Sequence, residues 1–162
     1  MSVVFALGMA AGAAVVTVGL AQGSHFRALN HIGIVVADYE KSLDFYTNVL
    51  GLRVAYTVPK ADGSPLLTYL QLNRETFVEL IPANPGDATG VTHFGLEVGD
   101  IDATVADLRR HSVAANDVAL TPAKARYTRV RDPDQVEIEV MQFGPESSQR
   151  KAMESWRGPS RP

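Results

Sequence analysis

Residues 31–36, "HIGIVV", read as a strand, and the spacing of apolar positions then changes to that of a helix. Leu43, Tyr46, Val49 and Leu50 recur at helical intervals behind Asp38, a side chain suited to capping a first turn. Gly51 stands where such a helix stops. Three β-rich runs follow at 52–58, 66–72 and 76–81, separated by turn-forming residues. The order is β-α-β-β-β, and the chain writes it twice. "THFGLEV" (92–98) opens the second version, and Asp100 is its cap. Ile101, Val105 and Leu108 form its helix face, and strands are expected near 117–121, 126–131 and 136–143. His31 and His93 lie 62 residues apart, and each is followed by an apolar residue and a glycine. The duplication predicts one α+β domain over residues 28–143, made of tandem βαβββ modules at 28–83 and 91–143. Helices are expected at 39–50 and 101–111, and "PANPGDATG" (82–90) is the linker. The polar tail, 144–162, is expected to be loosely held.

Strand alternation sorts the side chains. Ile32, Ile34 and Val36 share one face with the module's helix, as do Val78 and Leu80, and Val136, Ile138 and Val140. His31 and Glu79, and likewise His93 and Glu139, fall on the opposite face, which a curled sheet would make concave. Taken singly, each reads as a surface or hydrogen-bonded residue. Taken together at matched positions, two imidazoles and two carboxylates form a set of ligands, because a carboxylate on a mostly apolar strand needs a cation. Such a set suits one divalent ion, Zn, Ni, Fe or Mn, with room for water or substrate. Glu137 shares the face of Glu139 and reads either as a rim residue salt-bridged to an arginine or as a tuner of its neighbour. Tyr69, Gln71 and Arg126 are the candidate substrate contacts. Arg126, with Arg129 and Arg131, forms either a cationic cluster for an anionic substrate or a row of solvated edge charges.

Composition narrows the partners. Hydrophobic residues make up 46% of the 162 and charged residues 20%, with a net charge of −3. No basic face for nucleic acid is implied, and the expected partner is a small-molecule substrate. The absence of cysteine excludes thiolate nucleophiles and cysteine–zinc sites. Residues 1–21 carry no charged side chain and end in Gly19-Leu20-Ala21, which gives two readings: a cleaved secretory signal or a retained membrane anchor. Either predicts an exported protein, periplasmic or secreted in the first case and attached to a membrane in the second.

The stretches "NHIGIVVADYEKSLDFYTNVLGL", "FVELIPA", "THFGLEVGDIDATVADL" and "VRDPDQVEIEV" resemble the vicinal oxygen chelate superfamily. That superfamily includes glyoxalase I, methylmalonyl-CoA epimerase, extradiol dioxygenases, and fosfomycin and bleomycin resistance proteins. The resemblance implies a cup-shaped mixed sheet around one divalent metal that two neighbouring substrate oxygens chelate. It places His31, Glu79, His93 and Glu139 at the ligand positions, a set closest to glyoxalase I. It implies a metal-dependent lyase or isomerase in which Glu139, or failing that Glu79, carries a proton between neighbouring carbons. An extradiol-type iron dioxygenase and a non-enzymatic, ligand-sequestering protein remain as alternatives. Two departures stand out: Gln135 replaces the usual turn glycine, and Val35 replaces an arginine typical of glyoxalase I. Whether the modules pair within one chain or between the chains of a homodimer stays open at this stage.

Overall fold

Strand β1 (Phe26–Val36) starts five residues before the expected "HIGIVV" and lies at the centre of the molecule. It runs parallel to β4 (Phe77–Pro82) and antiparallel to β5 (Gly90–Val98). β2 (Arg53–Pro59) and β3 (Pro65–Gln71) complete the first module. β6 (Ala119–Leu120), β7 (Arg126–Arg131) and β8 (Glu137–Gln142) complete the second. The order across the sheet is β2-β3-β4-β1-β5-β8-β7-β6, so each half mirrors the other about the β1–β5 seam. The two modules therefore pair within one chain. These observations come from a computed structural model that describes residues 25–158. The apolar segment 1–21, with its signal or anchor reading, lies outside the described residues, and among those residues no helix is long and apolar enough to cross a membrane.

Each module's helix covers the convex side of its own half. α2 (Ile101–Arg110) is capped by Asp100, whose carboxylate accepts from Ala103 N at 3.0 Å. It buries Ile101 and Val105 against Val98, Val130 and Val140. Full burial of side chains of this size stabilises by about 1.5–3 kcal/mol each. α1 (Tyr39–Asp44) is capped in the same way by Asp38, and Tyr39 and Leu43 pack on Val36, Leu70 and Leu80. The first helix is shorter than expected. At residues 45–49 the backbone widens into a π-helical turn, with Leu50 N bonded to Phe45 O. The Thr47 hydroxyl also donates to Leu43 O at 2.7 Å, the kind of back-bond that loosens a regular helix.

Over its described residues, 144–158, the tail is not loose. Residues 148–154 form α3 (Ser148–Glu154), capped by Ser147. Its Ala152 and Met153 are buried with Tyr69 and Phe77 of the first module and Met141 and Phe143 of the second. The helix thus bridges both halves on the concave side. Arg150 pairs with the buried Glu97 at 3.2 Å, and Ser148 N donates to Ala123 O at 2.9 Å. The polar residues of this segment hide a short stripe at helical spacing, Gln149, Ala152 and Met153, all of them buried.

Candidate metal centre

The repeated His-X-Gly acquires its meaning at the β1–β5 seam. Gly33 is the cross-strand partner of His93 on one side and of Glu79 on the other. Gly95 stands in the same relation to His31 and Glu139. A Cβ on Gly33 would overlap the His93 imidazole, and one on Gly95 the His31 imidazole. Each module's glycine therefore clears the space for the other module's histidine. That reciprocal clearance brings both rings to the centre of the cup, where their planes meet edge to face with centroids 5.2 Å apart.

The two Nε2 atoms face each other at 3.2 Å. Glu79 Oε2 lies 3.0 Å from His93 Nε2 and 3.7 Å from His31 Nε2. Ligand atoms around a tetrahedral ion with bonds of about 2.1 Å are separated by about 3.4 Å, so these three atoms have the spacing of three corners of such a polyhedron. The far nitrogens are engaged. Asn30 Nδ2 donates to Glu75 O, which leaves Asn30 Oδ1 to accept from His31 Nδ1 at 3.2 Å. The Thr92 hydroxyl donates to Gly33 O, so its oxygen accepts from His93 Nδ1 at 3.0 Å. Around a bound ion these partners would hold both rings with the proton on Nδ1 and Nε2 turned inward. Without an ion, a proton on His93 Nε2 bonded to Glu79 satisfies this group, and a divalent ion would take that proton's place. The residues fit a divalent ion.

Glu139 sits at the edge of this group. Its Oε2 is 3.6 Å from His31 Nε2, while Arg129 Nη2 and Nε donate to its Oε1 at 2.9 and 3.1 Å. The trio of His31, Glu79 and His93 has ligand atoms all within 4.8 Å of one another. Glu139, expected as an equal fourth member, is instead drawn partly away by Arg129. Burial raises its carboxyl above the ordinary range, opposed by His93 and Arg129 and reinforced by Glu79. Burial lowers His31 to about 4, with Glu79 opposing and His93 assisting. Against the same burial, the bond to Glu79 and its charge carry His93 above its ordinary value.

A cavity of about 200 Å³ opens onto this group, lined by Glu79, His93, Glu139, Tyr69, Arg129 and Gln149 among others. Tyr69 is there as expected, stacked on Tyr56 with centroids 4.9 Å apart and edge-on to His31 at 5.3 Å. Burial first, then Glu79, pushes its phenol well above the usual range, so it stays protonated. Gln71 does not line this cavity. Its Oε1 accepts from Arg53 and its Nε2 donates to Arg74 O and Ala152 O, so the amide is spent on the turn and on α3. Arg126 does not line this cavity. Val130 packs on α2, and Arg126, on the same strand face, makes a paired bond to Asp102 of α2 at 2.8 and 2.9 Å. Arg129 is the arginine that reaches the cup. Glu137 is a rim residue, paired with Arg131 at 2.6 Å and Arg129 at 3.3 Å. Sequence reasoning missed Gln149 altogether; the i, i+3, i+4 stripe of α3 was the available signal.

An eight-stranded cup of paired βαβββ modules with imidazoles and carboxylates at its seam is the architecture of a vicinal oxygen chelate protein. Residues 28–140 match the Glyoxalase/Bleomycin resistance protein/Dioxygenase superfamily, and the chain belongs to it. The uncharacterized protein YaeR of Escherichia coli is 31% identical over 123 residues, spanning 70% of this chain and 95% of its own. Human mitochondrial methylmalonyl-CoA epimerase is 30% identical over 95 residues, 52% of this chain and 54% of that protein. Among solved structures, methylmalonyl-CoA epimerase from Mycobacterium tuberculosis superposes with a TM-score of 0.65 at 20% identity, over 76% of this chain and 93% of that one. A Streptomyces coelicolor methylmalonyl-CoA epimerase in complex with 2-nitronate-propionyl-CoA gives 0.64 at 21% identity, over 75% and 98%. At these identities the superpositions establish the fold, and the sequence relatives include enzymes.

Proposed function

We propose that this protein is a metal-dependent, glyoxalase-like isomerase or lyase that moves a proton on a small oxygenated substrate. The observation that carries the proposal is the pair of inward Nε2 atoms 3.2 Å apart, with Glu79 completing the set. His31, Glu79 and His93 would hold the ion, with Glu139 beside them. A divalent ion there supplies Lewis acidity that makes the C–H next to a chelated carbonyl more acidic. Glu139 takes the proton at Oε2, because Arg129 occupies Oε1 and burial raises the carboxyl, which makes it a better proton acceptor. Arg129 fixes the direction of that oxygen beside a largely apolar cavity wall. Removing and returning a proton beside a carbonyl is also the simplest route to an epimerisation, which agrees with the kind of enzyme found among the relatives. Metal uptake measured by equilibrium dialysis, followed by exchange of substrate C–H for deuterium, tests the reading. Failure to bind zinc, nickel, manganese or iron would sink it, and oxygen consumption by the iron form would favour dioxygenase chemistry instead.

The apolar segment 1–21 supports a second part of the proposal, export from the cytoplasm. Mass spectrometry of the protein from its native host should find a chain starting near Gln22. An intact Met1 in the soluble fraction would overturn cleavage.

A further inference from the structure

Cross-strand register sets two rows of side chains on the concave face of the first module. The row that carries the metal-binding acid is Tyr56, Tyr69 and Glu79, each the partner of the next. Two residues away on each strand, at a distance of about 7 Å, stands a second row on the same face: Val58, Leu67 and Ile81. All three line the cavity of about 200 Å³ that holds Glu79, His93 and Glu139. They are only part-buried, and Val58 and Ile81 join none of the core clusters of the described residues. In the opposite direction along β4 the cup is filled. Phe77, two residues before Glu79, is 1% exposed in the cluster that includes Ala152 and Met153 of α3. The second module contributes Arg129 to the cavity wall, with the ion-paired Glu137 and Arg131 at the rim beyond it. The cavity therefore has one aliphatic strip, drawn from three adjacent strands, that no protein group covers in full. Apolar surface of this kind gains by being removed from water, and a ligand that brings its own apolar surface does so.

We infer that Val58, Leu67 and Ile81 form a specificity-determining wall that receives an alkyl group of the substrate. The inference rests on the proposed metal centre and names the substrate class that centre takes. A molecule held by two oxygens at His31, Glu79 and His93 lies one pleat of β4 from Ile81, so whatever it carries next to those oxygens meets this row. The cavity holds roughly seven to ten heavy atoms at protein packing density. A chelating group uses about four of them, which leaves space for a chain of about three to five carbons. The substrate class is a carbonyl compound with a second oxygen on the neighbouring atom and a short alkyl chain beside the pair.

Alkyl hydroxamates test this, since they chelate a metal through neighbouring oxygens and can be made to differ in chain length alone. Titration calorimetry on the zinc-loaded full chain should show butyrohydroxamate binding roughly five- to tenfold more tightly than acetohydroxamate, the effect of two methylenes largely removed from water. Val58→Thr and Ile81→Thr each put a hydroxyl into the row and should cut that ratio to about twofold or less. Arg131→Gln, on the charged rim and outside the cavity lining, should leave the ratio where it is. Zinc stoichiometry should match the wild type in all three variants, because none of them touches the ligand set. Equal affinity of the wild type for both hydroxamates would overturn the inference without any variant. So would a ratio that survives in both folded threonine variants, or one that falls as far in Arg131→Gln. Loss of zinc uptake by the wild type itself would instead bring down the metal centre, and this inference with it.

Discussion

Tyr69 and Arg129 occupy the same place in the two modules, each the cross-strand partner of the inward glutamate, Glu79 or Glu139. The first module sets a neutral aromatic wall there, Tyr69 stacked on Tyr56. The second sets a charged chain in which Arg129 links Glu139 to Glu137, and Arg131 closes on Glu137. The consequence appears in the carboxylates. Glu79, whose ion pairs among the described residues are with the imidazoles alone, leans onto His93 at 3.0 Å. Glu139 gives one oxygen to Arg129 and leaves the other 3.6 Å from His31. Duplication supplied two equivalent acids, and a single strand position made them unequal. In the proposed chemistry that inequality separates a ligand from a base.

The largest effects should come from treating the two acids alike. Glu79→Gln should weaken metal affinity by on the order of a hundredfold or more, since it alters the ligand set itself, where even supporting partners are worth 10–100-fold. Glu139→Gln should keep the metal and lose about 10²–10⁴-fold in turnover, the usual contribution of a positioned proton carrier. Metal analysis and turnover on the two variants decide the matter. If both lose metal equally, the four residues form a symmetric quartet and the division of roles is wrong.

Where the halves are alike, paired substitutions should match. Gly33→Ala and Gly95→Ala each force a Cβ into the opposite histidine ring. Overpacking of this kind costs about 1–3 kcal/mol, and similar losses are expected in urea unfolding from either side of the seam. A large loss at one glycine and none at the other would show that only one ring depends on the clearance.

The seam shows how far the sequence could be read. Strand phase and duplication located His31, Glu79, His93 and Glu139, because alternation along a strand is strict and a charge on an apolar strand is conspicuous. Module order and helix caps were legible for the same local reasons. Arg126 was misread because β7 opens with polar residues on both faces, so nothing in the run distinguishes Arg126 from Arg129. Gln71 faces the cup as expected, and only the tertiary structure shows that its amide is already engaged by Arg53 and α3. α3 itself was missed because seven residues with a Gln in the apolar stripe carry too weak a period, and the helix is stabilised by packing across both modules.

A pH profile sharpens the Tyr69–Arg129 contrast. Glu139 must be ionised to accept a proton, so activity is lost as pH falls through its pKa. Burial holds that pKa above the ordinary value, and Arg129 pulls it down. Arg129→Leu removes the downward pull, and the acidic limb of kcat should move to higher pH. Tyr69→Phe, at the matching position beside Glu79, should leave that limb where it is. A limb that does not move in the Arg129 variant would mean that Glu139 is not the group titrating.

The smallest effect concerns the turns that deliver the two acids. The β3–β4 turn (72–76) and the β7–β8 turn (132–136) are closed alike, by Leu72 N to Thr76 O at 2.9 Å and Asp132 N to Val136 O at 3.1 Å. Asn73 and Asp132 side chains accept backbone N–H groups within them. They differ in one dihedral. Gln135 has φ +71°, the left-handed region that favours glycine, and no residue of 72–76 has a positive φ. A side chain in that region costs about 1–2 kcal/mol, partly offset by the extra freedom a glycine would give the unfolded chain. Gln135→Gly should therefore stabilise by up to about 1 kcal/mol. Glu75→Gly, at the corresponding place in the first module, relieves no strain and should destabilise by about 0.5–1 kcal/mol through chain entropy alone. Chemical unfolding of the two variants should thus give shifts of opposite sign. Shifts of the same sign would mean that the second turn holds Gln135 for its side chain and not in spite of it.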